Sequence, residues 1–339
     1  MLYIRADGNA KIGTGHIMRC MSIAVAARRL GGDCTFITAD REMEPLLTQR
    51  GFSVICLESA WDDLEQESEK MQALIRERGI KTLLVDSYFA AEAYLAHLKT
   101  LTCTAYMDDL DEHPYPCHIL INYNRYGEEL GYDARYPHTK LLLGSRYAPL
   151  REEFSGLPAK GTAQTPRSVL VTTGGSDPYN VAGKVVEAAK AHPLLGGLIF
   201  HIVAGRFNAH LPQLLELEKN TPGVKVHTGV EKMEPLMSGC DLAVSAAGST
   251  LYELCACGVP TVLFVMADNQ IKGAQALAQK EMLFGGDVRS QESQWLGAII
   301  EGLEKLAGDA ALRRRLSQNA QRLVDGRGAE RIAHTLLSF

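Results

Sequence analysis

Leu2-Tyr3-Ile4-Arg5-Ala6-Asp7-Gly8-Asn9-Ala10-Lys11-Ile12-Gly13-Thr14-Gly15-His16-Ile17-Met18-Arg19-Cys20 is the stretch whose reading decides the fold. The short apolar run Leu2 to Ile4 gives way to a glycine-bearing turn. From Ile17 to Leu30, Met18, Met21 and Val25 recur at helical spacing while Arg28 and Arg29 stay polar, so the order is strand, turn, helix. Gly13 and Gly15 let backbone amides face outward without Cβ obstruction, and the helix N-terminus behind them favours negative charge. His16 follows immediately, and its role is the question the rest of the sequence must answer.

The same rhythm continues outward from that stretch. Strand candidates are Leu2 to Ala6, Cys34 to Thr38, Val54 to Leu57, Thr82 to Asp86, Thr104 to Met107, Ile119 to Asn122 and Leu141 to Gly144. Several are continuous apolar runs, as expected for strands covered on both faces. Glu65 to Arg78 reads as a charged, mostly exposed helix and Ala90 to Lys99 as another. The texture changes between Ser155 and Arg167, which is rich in Gly, Pro and small polar residues. Strands are then expected at Ser168 to Thr173, Ile199 to Ala204, Val224 to His227, Leu242 to Ser245 and Val262 to Met266. Helices are expected at 181–192, 211–219, 250–257, 270–280 and 294–306, with a broken helical tail from Asp309. The alternation predicts two α/β lobes with parallel sheets and a cleft between them: residues 1–154, a linker at 155–167, and residues 168–339, with the last helix a candidate to pack back on the first lobe.

A length of 339 residues suits two cores rather than one, and a formal charge of -5 gives no sign of a polyanion-binding surface, so no nucleic-acid partner is expected. No apolar run approaches transmembrane length, and Arg5 and Asp7 interrupt the N-terminal run before a signal core could form. A cytoplasmic monomer without a membrane partner is expected. The eight cysteines contain no Cys-x-x-Cys and read as buried reduced thiols.

The familiar glycine templates fail at the opening turn: a third dinucleotide-type glycine is missing, and no Gly-Lys-Ser/Thr makes a P-loop. His16 is readable either as a locally hydrogen-bonded helix residue or as a proton acceptor suited to neutral pH. In the second half, four small polar loops follow strands: Gly174-Gly175-Ser176, Gly229-Val230, Gly248-Ser249-Thr250 and Asn269-Gln270. The third joins glycine, two hydroxyls and a helix start, a cradle for a diphosphate. Glu253 is open to two readings, a capping box with Thr250 or a contact to a ribose diol. Asp108-Asp109-Leu110-Asp111-Glu112 reads as a magnesium site or a solvated turn, and the turn is preferred because the diphosphate cradle lies in the other half. Asp86-Ser87-Tyr88 ends a strand and offers a carboxylate and a phenol.

Arg5-Ala6-Asp7, Ile12-Gly13-x-Gly15-His16-x-Met18-Arg19-Cys20, Val85-Asp86-Ser87-Tyr88, Asp108-Asp109 with Ile121-Asn122, Gly174-Gly175-Ser176-Asp177, and Ser249-Thr250-x-x-Glu253 with Asn269-Gln270 resemble the UDP-sugar hydrolases of pseudaminic acid biosynthesis. These are relatives of the GT-B glycosyltransferase that makes lipid II. The resemblance covers most of the chain in order. It implies a GT-B fold of two Rossmann-like lobes, UDP held mainly by the second and sugar by the first. It also implies metal-independent, cofactor-free hydrolysis of UDP-2,4-diacetamido-2,4,6-trideoxy-β-L-altropyranose to UDP and free sugar, with inversion. His16 is then the catalytic candidate near the anomeric carbon, Asp7, Asp86 and Tyr88 are its candidate neighbours, and Gly13, Gly15 and Arg19 join the second-half loops as candidate substrate contacts. The rivals are a glycosyltransferase of the same fold and a non-catalytic UDP-sugar-binding protein.

Overall fold

A computed structural model describes residues 1–9 and 11–339; Ala10 of the opening turn lies outside them. The chain divides into two compact units, residues 1–152 with 326–339, and residues 153–325.

The first unit is built on seven strands: β1 (Leu2–Ala6), β2 (Cys34–Thr38), β3 (Ser53–Cys56), β4 (Thr82–Asp86), β5 (Cys103–Met107), β6 (Ile119–Asn122) and β7 (Lys140–Leu143). They lie in the order β3-β2-β1-β4-β5-β6-β7, and each recorded neighbour pair is parallel. Leu2, Ile4, Leu83 and Leu84 are fully buried, as strands with helices on both faces require. The order reverses between β1 and β4, where Ala6 pairs with Asp86. The loops leaving a reversal point diverge to opposite faces and open a crevice at the strands' carboxyl ends. Asp7 and Ser87 are the first residues beyond that pair, so the topology itself sets them beside one another.

Helix α1 (Gly15–Arg29) starts two residues earlier than periodicity suggests, which places His16 in its first turn. Its fully buried residues are Ile17, Cys20, Ile23, Ala24 and Ala27, whereas Met18 and Val25 are only half-buried. The small residues on this face admit the C-terminal helix Gly328–Leu337, whose Ile332, Ala333 and Leu336 are fully buried. A Cβ on Gly328 would stand 2.2 Å from the Ala148 carbonyl oxygen, so that close approach requires glycine.

The second unit repeats the plan with β8 (Ser168–Thr172), β9 (Ile199–Ala204), β10 (Val224–Thr228), β11 (Leu242–Ala246), β12 (Thr261–Val265) and β13 (Leu283–Asp287). The order is β10-β9-β8-β11-β12-β13, again parallel. Strand β13 has no counterpart among the sequence expectations, because Leu-Phe-Gly-Gly-Asp carries two glycines and leaves Phe284 49% exposed. The Gly/Pro-rich stretch before β8 is fastened rather than free. Arg313 donates to the Ala163 and Gln164 carbonyls at 2.8 Å each, and the Lys160 amide donates to Gln321 Oε1 at 3.0 Å. All eight cysteines are free, six of them buried. Among the described residues no helix is long and apolar enough to cross a membrane.

Candidate active site

Three elements bring the first-unit residues together. α1 carries His16 and Arg19 one turn apart, β4 ends on Asp86, and the segment after β5 carries Asp109. His16 Nδ1 lies 2.6 Å from Asp86 Oδ1. Arg19 Nε donates to Asp86 Oδ2 at 2.6 Å and Nη2 to Oδ1 at 2.5 Å, a two-point clamp on one carboxylate. Asp86 is fully withdrawn from solvent, and burial pushes its carboxyl upward. The Arg19 charge, with the hydrogen bonds from Arg19 and His16, outweighs that penalty and holds it well below the usual carboxylate range. An ionised carboxylate only accepts hydrogen bonds, so Nδ1 is the donor in this contact and Nε2 is the ring nitrogen left over for another partner. Nε2 has no protein partner among the described residues.

Arg19 has no free face for a substrate. Its Nη1 donates to Asp109 Oδ2 at 2.6 Å and to Tyr123 Oη at 2.9 Å, so every nitrogen of the guanidinium is engaged inside the unit. The expected substrate contact is therefore a buried tie between two strand ends. Tyr88 likewise donates its hydroxyl to Asp109 Oδ2 at 3.1 Å and sets its ring edge-on to His16, centroids 4.5 Å apart. Its phenol is spent on Asp109; its ring fixes the plane of the imidazole.

Asp7 stands at the end of β1. Its Oδ1 accepts the Ala39 amide at 2.8 Å and its Oδ2 accepts from Arg5 Nη1. Burial raises its carboxyl, against the pull of Arg5. Arg5 is wholly buried and its Nε and Nη2 reach Glu67 Oε1 and Oε2 at 2.7 and 2.9 Å. Asp7, Ile12, His16, Asp86, Ser87, Tyr88 and Phe89 line one small pocket. Gly13, in the loop before α1, and Gly15, at the start of α1, have open space where a Cβ would stand, and Gly13 has φ +73°.

The acidic run is neither a solvated turn nor an array of unclaimed ligands. Asp108 is 1% exposed and accepts the Leu110 amide at 2.8 Å, the Asp111 amide at 3.1 Å and the Tyr132 hydroxyl. Asp109 takes Arg19 and, at 2.9 Å, Asn124 Nδ2, while Asp111 pairs with Arg135 at 2.6 Å. Asp108, Asp109 and Asp111 each have a protein partner, and Glu112 at the end of the run is exposed.

In the second unit the candidate loops all leave the carboxyl ends of strands. Gly174, Gly175 and Ser176 follow β8, and Gly248, Ser249 and Thr250 follow β11, the two strands at this sheet's reversal point. Gly229 and Val230 follow β10, and Asn269 and Gln270 lie in the turn Asp268–Gln270 after β12. A Cβ at Gly174, Gly175, Gly229 or Gly248 would meet nothing within 4 Å, so these backbones are open to close approach. Helix Thr250–Cys257 takes Ser249 as its N-cap, with no side-chain cap bond, so the Thr250-x-x-Glu253 capping box is out of frame by one residue. Gln270 is turned inward, its Oε1 accepting the Met266 amide at 2.8 Å.

Spacing alone gave no sign of Ser87, Ile12 and Phe89 as pocket walls, nor of Asp109 and Tyr123 as partners of Arg19. Asp177, which the sequence offers only as the end of the Gly174-Gly175-Ser176-Asp177 motif, is 1% exposed and accepts the Val181 and Ala182 amides at 2.8 and 3.0 Å, anchoring the loop after Gly174-Gly175. The placement of Gly205 explains how that loop is held, since a Cβ there would lie 2.1 Å from the Gly174 carbonyl oxygen.

Residues 169–331 match the glycosyltransferase family 28 C-terminal domain. Over almost its whole length the chain is similar to the spore coat polysaccharide biosynthesis protein SpsG of Bacillus subtilis, at 25% identity, covering 98% of this chain and 96% of that one. It is also 25% identical over 279 residues to the UDP-2,4-diacetamido-2,4,6-trideoxy-beta-L-altropyranose hydrolase of Campylobacter jejuni, covering 81% of this chain and 95% of that one. Among solved structures, MurG of Acinetobacter baumannii superposes with a TM-score of 0.70 at 11% identity, covering 100% of this chain and 99% of that one. The chain thus has the GT-B fold, two Rossmann-like units with parallel sheets, and residues 169–331 are similar to the glycosyltransferase family 28 C-terminal domain.

Proposed function

We propose that the chain is an enzyme acting on a UDP-sugar, and that it hydrolyses UDP-2,4-diacetamido-2,4,6-trideoxy-β-L-altropyranose to UDP and the free sugar with inversion, a step of pseudaminic acid biosynthesis. The observation that carries hydrolysis is the oriented dyad: His16 Nδ1 bound at 2.6 Å to Asp86, with Nε2 free in a pocket that Asp7 and Ser87 share. In this reading a water oxygen attacks the anomeric carbon and its proton passes to Nε2. The bond from that carbon to the diphosphate oxygen breaks, and its electron pair leaves with UDP. Asp86 stabilises the imidazolium that forms, as the carboxylate of such a pair does in other enzymes.

UDP binding is assigned to the second unit: Gly174, Gly175, Ser176, Gly229, Val230, Gly248, Ser249, Thr250, Glu253, Asn269 and Gln270. The match of that unit to the glycosyltransferase family 28 C-terminal domain and the similarity to the Campylobacter hydrolase support it. Gly205→Ala is expected to weaken UDP binding about tenfold by displacing the Gly174-Gly175 turn, an overpacking effect of about 1–3 kcal/mol. Unchanged affinity by titration calorimetry would remove that loop from the UDP site.

The test of the whole reading is UDP release with no sugar acceptor present. Steady release with free sugar of inverted anomeric configuration, read by NMR, is expected. Release that begins only when an acceptor is added would replace hydrolysis by glycosyl transfer, the reading that the family 28 domain favours. EDTA is expected to leave the rate unchanged, because Asp108, Asp109 and Asp111 are committed to protein partners. Activity lost to EDTA and restored by magnesium would overturn that assignment.

A further inference from the structure

Ser87 is 6% exposed, lines the pocket beside His16, and has one recorded side-chain bond: its Oγ accepts the Phe89 amide at 3.2 Å. The hydroxyl proton has no protein acceptor among the described residues. A buried hydroxyl beside an unpartnered imidazole nitrogen needs a third party to bond. Asp7, which lines the same pocket, uses one lone pair of each oxygen on Ala39 and Arg5, and keeps the others. The pocket therefore presents one donor and two acceptors, and Ile12 and Phe89 add apolar surface to its lining. The cavity, about 10 Å³, is close to the smallest that holds one water.

We propose that Ser87, Asp7 and His16 form a three-point seat for the attacking water, and that this seat selects water over alcohols. The proposal rests on the hydrolytic reading and supplies what that reading lacks, a reason for water to be the nucleophile. Water donates one proton to His16 Nε2 and the other to the Asp7 carboxylate. One lone pair accepts the Ser87 hydroxyl, and the second is left to attack the anomeric carbon. As the new C–O bond forms, the water proton directed at Nε2 passes to that nitrogen, the proton directed at Asp7 stays on the product hydroxyl, and the bond to UDP breaks with its electron pair leaving on UDP. An alcohol has a single hydroxyl proton, so it satisfies His16 or Asp7 and leaves the other buried acceptor unpaired, and its alkyl group has no room.

The experiment runs the wild type, Ser87→Ala and Ser87→Cys in water with methanol added, measuring UDP release and the ratio of methyl glycoside to free sugar. The wild type is expected to yield free sugar alone. Ser87→Ala is expected to lose roughly three- to tenfold in kcat, the scale of one neutral hydrogen bond, with KM unchanged and methyl glycoside now formed in the vacated space. Ser87→Cys keeps the volume but donates poorly, so it should share the kcat loss without the methyl glycoside. Methyl glycoside from the wild type in proportion to methanol, or wild-type kcat in both variants, would overturn the seat while leaving hydrolysis standing. No UDP release by the wild type in water alone would overturn the hydrolytic reading, and the seat with it.

Discussion

His16→Ala is expected to lower kcat for UDP release by roughly a hundredfold or more, the usual scale for loss of a general base, while folding and UDP affinity stay near wild type. The separation of the two effects follows from the geometry. Removing the imidazole takes one partner from Asp86, but Arg19 Nε and Nη2 remain on both of its oxygens at 2.6 and 2.5 Å, and Cys20 Sγ lies 3.3 Å away. Asp86 therefore stays charged and compensated, and the unit keeps the tie between α1, β4 and Asp109. The loops assigned to UDP belong to the other unit. Thermal unfolding and UDP titration should look like wild type in the variant whose turnover collapses. Near-normal UDP release would strip His16 of the base role and leave it the local helix residue that the sequence also allows.

The same cluster shows what was legible in the sequence and what was not. Strands β1 and β4 are continuous apolar runs ending in polar residues, so their positions follow from pattern, and with them the placement of Asp7 and Asp86 at strand ends. The partnership of His16 with Asp86 spans 70 residues of sequence and depends on the strand order, which no local pattern contains. Arg19 is a candidate substrate contact in the sequence only through the family resemblance of the motif that contains it. What makes it structural is a pair of carboxylates from β4 and the segment after β5, visible only once the sheet is assembled. Strand β13 failed the pattern test for the opposite reason: its glycines hide a ladder that the backbone forms without side-chain help.

Glu67→Ala is expected to destabilise the first unit by about 3–5 kcal/mol, the largest stability effect foreseen for one side chain here. The sequence reads Glu67 as part of a charged, exposed helix, yet it is fully buried, because the turn Leu64–Glu67 delivers it under the sheet rather than onto the helix surface. Its Oε1 accepts Arg5 Nε at 2.7 Å and Tyr94 Oη at 2.8 Å, and its Oε2 accepts Arg5 Nη2 at 2.9 Å and Ser59 Oγ at 2.7 Å. Truncation leaves a guanidinium with no solvent access, held by Asp7 alone, and strands two hydroxyls. Denaturant unfolding followed by a probe in the first unit measures the change, and a loss below about 1 kcal/mol would mean the network is wet or slack. Replacing both partners, Arg5→Met with Glu67→Leu, removes the half-paired guanidinium and should recover part of the stability, the remainder staying lost because Asp7 is left buried without its cation. It should not recover turnover. Arg5 is also the cation on Asp7, so the double variant is expected to fold with Asp7 unanchored at the pocket, separating the part of the network that holds the sheet from the part that seats the water.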